Sequence, residues 1–193
     1  WAQPLVIQKA CVGLEEVVWW KLPEPIGRVQ GLDQLIDWKA ECFDDEKKDR
    51  LMSLIPDGHR ARMEQQAAHC KRAVFPGYRR TRNGKQVLEL RFDNISGCLR
   101  TAEGGSSKQF VVLWNNGQWS ARLITVREAA KIMGAPKGYK LGDSYNDSYN
   151  AMGDAVAVPV VAHLAKNLLA PLALMQDTAN ESSRITPRLR LQA

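Results

Sequence analysis

Two Asn-Gly dipeptides, Asn83-Gly84 and Asn116-Gly117, each lie between short alternating segments and restrict the fold more than any other feature. A two-residue hairpin loop that follows the natural strand twist needs positive φ at both central positions, and Asn-Gly supplies this at least steric cost. "YRRTRNGKQVLELRFDN" and "QFVVLWNNGQWSARL" therefore read as two hairpins. Residues 77–124 become a small antiparallel sheet, interrupted by "TAEGGSSK".

Helices are predicted on both sides of that sheet. "GLDQLIDWKAE" places Leu32, Leu35, Ile36 and Trp38 near helical spacing. "DDEKKDRLMSLI" begins acidic and ends apolar, which fits a helix capped by Asp44 or Asp45. Pro56-Asp57-Gly58 predicts a turn, and "HRARMEQQAAHCKR" a basic helix. Beyond the sheet, Thr125-Val126-Arg127-Glu128 fits a capping box, and Gly134 with Pro136 ends the helix that it starts. Residues 156–173 predict an apolar helix with Pro159 in its first turn, where amides lack intrahelical partners. "VVWWKLPEP" predicts a short strand stopped by Pro23 and Pro25, with Trp19-Trp20 in a core. The polar, basic stretch 176–193 reads as disordered. The expected class is α/β, of mixed α+β character in this portion.

Composition limits what such a fold can do. Of 193 residues, 45% are apolar and 25% charged, a globular balance. The net charge of +6 favours a polyanionic partner, nucleic acid above all. The four cysteines form no C-x-x-C pair, and with three histidines they give no zinc pattern, so no metal is expected. They read as free, mostly buried thiols of a reducing cytosol. The beginning at Trp1 lacks both an initiator Met and a secretory leader, and reads as one portion of a larger machine. No run of about 18 apolar residues without charge occurs, so no membrane span is expected.

Three stretches could carry chemistry. Gly153-Asp154-Ala155-Val156 falls where a loop is expected to become a helix. Small side chains and outward-pointing amides there suit a small polar cofactor; the plainer alternative, favoured on this stretch alone, makes Asp154 an N-cap. "GYRRTRNGK" concentrates Arg79, Arg80, Arg82 and Lys85, joined by Arg91, Arg100 and Lys108. Arginine forks suit phosphates and guanine edges, although alternation sends Arg79 and Arg80 to opposite faces and a solvated basic face is the commoner meaning. "CLRTAEGGSSKQ" offers bare amides, hydroxyls and a lysine able to follow a phosphate backbone, or is a plain flexible loop.

Two blocks with their spacing go further. "ARLITVREAAKIMGAPKGYK" resembles the pattern R-x-L-T-x-R-E-x-A-R-L-x-G-F-P-x-x-Y of DNA (cytosine-5) methyltransferases. "YNAMGDAVAVPVVAHLA" resembles the last block of that family, Y-K-x-x-G-N-A-V-x-V-P-V-x-x-x-I-A. The clear resemblance covers residues 77–173. It implies S-adenosyl-L-methionine as cofactor, double-stranded DNA as substrate, and a cytosine turned out of the duplex for attack by a cysteine thiolate. Residues 1–124 would be a target recognition region, and 125–175 helices completing a Rossmann-like methyltransferase domain.

Carried over by position, Tyr139, Asp154, Ala155 and Val156 match cofactor-lining residues, with Asp154 standing where the family has Asn. Arg127 and Glu128 match a block that braces the recognition region. Arg100, Thr101, Gly104, Gly105 and Ser106 fall in the DNA-facing loop. No cysteine follows a proline, and the Glu-Asn-Val and Phe-x-Gly-x-Gly blocks are missing, so no catalytic residue is assigned here. The resemblance implies a C-terminal portion of a restriction-modification type enzyme, cytoplasmic in a bacterium or phage host. It would work with an N-terminal catalytic half on the same or a separate chain, and expose an apolar patch without it. The alternatives are a non-catalytic DNA-binding remnant or specificity subunit and, less well, a basic RNA-binding protein.

Overall fold

Both Asn-Gly turns form with positive φ: 50° and 76° at Asn83-Gly84, 47° and 92° at Asn116-Gly117. The computed structural model describes residues 5–13, 22–27, 30–102 and 108–175. It divides into two compact units, Arg28–Pro159 and, separately, Trp1–Gly27 with Val160–Ala193. In the latter, α1 is Leu5–Ala10. The expected strand at 17–25 and the Trp19-Trp20 pair fall largely outside the described residues, as does the stretch 176–193. Leu22–Gly27, the described part, has no regular structure.

In the larger unit the turns close β1 (Arg72–Arg82) onto β2 (Lys85–Leu90) and β3 (Phe110–Asn115) onto β4 (Gln118–Leu123). All neighbours are antiparallel, in the order β2-β1-β3-β4. The sheet begins at Arg72, earlier than the expected residue 77, with Pro76 inside a central strand. The register explains the tolerance: β1 pairs with β3 over Arg72–Gly77 and with β2 over Gly77–Arg82. Proline, which has no N–H, sits where the strand changes partner. Its carbonyl still accepts the Arg91 amide at 2.8 Å.

Alternation along the strands feeds two cores. On one sheet face, Phe75, Leu88, Leu90, Phe110 and Val112 meet Leu51, Ile55 and Met63. On the other, Val74, Val111 and Leu113 meet Leu32 and Ile36 of the segment around α2 (Leu32–Leu35). Each such fully buried side chain contributes about 1.5–3 kcal/mol. The first face is covered by α3 (Asp45–Ser53) and α4 (Asp57–Ala68). Asp44 caps α3 as expected, accepting the Lys47 amide at 2.8 Å. Pro56-Asp57-Gly58 is the start of α4 rather than a separate turn, because a proline costs nothing where amides have no intrahelical acceptor. The helix expected over residues 31–41 is only the single turn α2. The backbone turns extended at Ile36, which frees Asp37 for the contacts described below.

The C-terminal elements differ from expectation. α5 (Val126–Ile132) has its capping box and ends at Gly134, φ 77°. Where a loop was expected to lead into Gly153-Asp154, the chain is helical: residues 148–154 belong to α6 (Tyr145–Asp154). Ala155 is extended, and α7 (Val158–Leu164) restarts the helix, followed by a π-helical turn Ala165–Leu169. A helix running through would need a Pro159 amide to reach the Ala155 carbonyl, and proline has none. The helix expected over 156–173 is present from Val158 and runs through residue 175, with the π-helical turn inside it; the break falls before it, at 155–157.

The stretch Tyr145–Met175 contains an 18-residue window of mean hydropathy 1.5, none of it buried, and by length and composition alone could cross a membrane. The sequence criterion of no charge excluded it because of Lys166. The cysteines also differ: Cys11 and Cys42 are half-buried, Cys70 and Cys98 exposed.

Candidate functional site

Glu128 accepts four hydrogen bonds through its carboxylate. Its carboxylate accepts two bonds from the Arg122 guanidinium, at 2.6 and 2.8 Å. It also accepts the Thr125 amide at 2.8 Å and the Asp37 amide at 2.6 Å. Arg122 donates onward to the Asp37 carbonyl at 3.0 Å. The pair is almost sealed, with side chains 3% and 1% exposed. Burial alone would raise the Glu128 pKa; the bonds from Arg122 and the two amides outweigh it and hold the carboxyl below its ordinary value. One ion pair thus ties the α2 segment, β4 and α5 together.

The expected bracing role of Arg127 takes a different form. Arg127 is outside this cluster and donates to the Tyr139 carbonyl at 2.8 Å. Arg122 is the residue that sequence reasoning missed. The available signal was a charge at an inward position of an alternating strand, opposite Val111, six residues before a glutamate.

The two blocks interlock. The Val158 amide donates to the Met133 carbonyl at 2.8 Å. A Cβ on Gly134 would lie 2.5 Å from Pro159 Cδ, so only glycine fits there. α6 is seated by the Tyr145 hydroxyl donating to Ile124 O at 2.8 Å and the Tyr149 hydroxyl accepting the Gln109 amide at 3.0 Å. Burial raises the pKa of both tyrosines, which keeps them neutral hydrogen-bonding groups. Asn150 Oδ1 accepts the Ala102 amide at 3.1 Å.

Tyr139, Asp154, Ala155 and Val156 are all exposed. Asp154 is the last residue of α6, neither an N-cap nor at a helix start, and the next helix, α7, begins at Val158. Gly153 packs against the backbone of Arg100 and Thr101, where an added Cβ would lie 2.5 Å from Thr101 N. The glycine is there for a close backbone approach.

The basic residues separate into groups. Arg82 forms a bidentate pair with Glu89 across the hairpin, at 2.5 and 2.9 Å, and Arg91 one with Asp93, at 3.1 and 2.5 Å. Both pairs compensate charge locally and lie at least partly exposed. Arg79 and Arg80 point to opposite faces as expected, Arg79 over the Phe110 ring and Arg80 over Tyr78. Arg79 and Lys108 come together at one cavity of about 620 Å³ on the α3 side of the sheet. Arg100 is exposed and Thr101 half-buried. Gly104, Gly105 and Ser106 lie outside the described residues. Among the described residues, no three His, Cys, Asp or Glu side chains gather as metal ligands.

The family model described as C-5 cytosine-specific DNA methylase matches residues 39–170, which takes in the sheet and both blocks. The chain is similar to the "Type II methyltransferase M.MspI" of Moraxella sp, 35% identical over 68 residues. That is 35% of this chain and 15% of that protein. It is also similar to the "DNA (cytosine-5)-methyltransferase CMT2" of Oryza sativa subsp. japonica, 46% identical over 39 residues, 20% of this chain and 3% of that protein. The matched stretch therefore spans a small part of either relative.

Proposed function

Because this chain belongs to the C-5 cytosine-specific DNA methylase family, we propose that it is the portion of a DNA (cytosine-5) methyltransferase that recognises the target and completes the S-adenosyl-L-methionine site. The interlocked blocks carry this reading: Met133 O with Val158 N–H, and Gly134 against Pro159, join the two family-like segments in one packed corner. The sheet preceding them would be the recognition region, with double-stranded DNA its substrate.

The cofactor fits the corner only at one end. The Asp154 carboxylate stands at the C-terminus of α6, where both its charge and the helix dipole favour a cation. It would hold the amino group of the cofactor, and Tyr139, Ala155 and Val156, all exposed, are the other residues assigned to it by the resemblance. The same charges disfavour the cofactor carboxylate, which other residues must take. When bound, S-adenosyl-L-methionine supplies the methyl group. The nucleophile would come from an N-terminal catalytic half, since no cysteine here follows a proline. Val158, Val160, Val161, Leu164 and Leu169 are exposed apolar residues of the helix that such a half would cover.

The test mixes this chain with a candidate half carrying Pro-Cys-Gln and follows labelled methyl transfer to DNA. Transfer only in the mixture is expected. Robust turnover by this chain alone would overturn the assignment of the nucleophile elsewhere. Salt-sensitive DNA binding without transfer in any mixture would favour the remnant or specificity-subunit reading, to which Asp154 in place of Asn also points.

A second measurement addresses the loop. Arg100→Ala should weaken duplex binding and reduce the slope of log K against log salt by about 0.9, one phosphate contact. An unchanged slope would remove Arg100 from the DNA face.

A further inference from the structure

The cavity of about 620 Å³ between α3 and the sheet joins Arg79 and Lys108 to residues of α3 outside the basic hairpin. Among the described residues, four cations border it, Lys47 and Arg50 from α3, Arg79 from β1 and Lys108 just before β3, and the described lining includes no carboxylate. Between them lies an apolar surface containing Phe43 and Phe110, whose rings meet edge to face at 6.4 Å. Gln86 adds an amide that can both donate and accept. The volume, in an open cleft, is large enough for one small organic ligand.

Each cation has a local partner. Lys47 pairs with Asp44 at 3.0 Å and Arg50 with Glu46 at 3.2 Å, Arg79 lies over the Phe110 ring, and Lys108 bonds Asn146. The first two pairs are exposed, with side chains 58–84% accessible. Such pairs are worth about 0–1 kcal/mol and yield readily to a phosphate.

We infer that this cavity binds one unstacked nucleotide of a DNA strand, its phosphate against Lys47 and Arg50, its base on the apolar surface beside Arg79 and Gln86. Cations alone would suit any anion, and an apolar pocket alone any small hydrophobe. The two together match a ligand whose charged group and planar body are joined. A base inside a duplex stack cannot enter a pocket, so the ligand is a nucleotide in single-stranded or locally opened DNA. The inference rests on the reading of the chain as a DNA-binding portion and gives that reading a specific surface. Lys47 and Arg50 belong to neither the hairpin nor the glycine-rich loop.

The experiment measures binding of the full chain to a single-stranded 12-mer, an abasic 12-mer of equal charge, and a duplex. Wild type is compared with the double variant Lys47→Gln, Arg50→Gln, whose exposed positions leave folding intact. The expected result is a loss of at least about tenfold in single-strand affinity at 0.1 M salt. The log–log salt slope should fall by about 1.4, two contacts at 0.7 each. The abasic strand should bind wild type more weakly than the 12-mer with bases. Equal binding of the two strands would overturn the base-holding role. Duplex binding by wild type, with an unchanged single-strand affinity and slope in the variant, would overturn the site while leaving the DNA reading standing. No binding of any DNA by wild type would remove both.

Discussion

Replacing Glu128 by alanine is expected to lower the unfolding free energy by about 3–5 kcal/mol, the cost of removing one partner of a buried ion pair. The reason lies in what is left behind. The Arg122 guanidinium, 3% exposed, would keep its charge without a counter-ion. The amides of Thr125 and Asp37 would lose the acceptor they now share. Arg122→Met should be costly for the mirror-image reason, because it strands a carboxylate. The two losses should fall well short of adding in the double variant, as expected for groups in one network. Against a typical total of about 5–15 kcal/mol, either single change leaves a marginal fold. Urea titration monitored by tryptophan fluorescence reads the effect. A loss below about 1 kcal/mol for Glu128→Ala would mean that the pair is not buried in solution.

The same network sets a pH dependence. Although burial opposes it, the bonding from Arg122 and the two amides depresses the Glu128 pKa below its ordinary 4.5. A carboxyl depressed in the folded state adds stability above its unfolded pKa and loses it as pH falls through the lower folded value. Wild-type stability should therefore decline from about pH 4.5 downward, and Glu128→Gln should lose that part of the decline. Parallel profiles for the two proteins would show that Glu128 is not the titrating group.

Local chemistry was legible in the sequence wherever neighbours in the chain decide it. Asn83-Gly84 and Asn116-Gly117 made their turns, Asp44 its cap and Thr125 with Glu128 its box, because each depends on residues within a few positions. Gly134 ended α5 for the same reason. What depends on distant chain was misplaced. Pro76 looked like the edge of the sheet, since no local pattern shows that β1 changes partner there. Asp154 looked like the start of a helix. Only the packing of Tyr149 and Met152 against Leu99, Ile124 and Ala129 makes the polar stretch before it helical. Around Glu128, the capping box with Thr125 was readable from neighbours, whereas the role of Arg122 was overlooked because its partners are six and 85 residues away. Lys47 and Arg50 were read only as helix residues, and nothing along the chain places them opposite Arg79.

Gly153 offers the sharpest test of that long-range packing, because local and tertiary effects predict opposite signs. Glycine inside a helix is about 0.8–1.0 kcal/mol less favourable than alanine, so on propensity alone Gly153→Ala should stabilise α6. In the folded chain the added Cβ would meet backbone, 2.5 Å from Thr101 N and 2.9 Å from Arg100 O. Backbone cannot rotate aside as a flexible side chain can, and overpacking of this kind costs about 1–3 kcal/mol or more. The α6 helix would have to lift, straining the bond from the Ala102 amide to Asn150 Oδ1. Gly153→Ala should therefore be net destabilising, by about 1–2 kcal/mol, and Gly153→Val by at least 3, since β-branching adds bulk and lowers helix propensity. Because Arg100 and Thr101 carry the strain, the alanine variant should also bind duplex DNA more weakly under conditions where it remains folded. A Gly153→Ala protein more stable than wild type would mean that α6 does not sit against residues 100–101. The last family-like block would then be seated through a different contact.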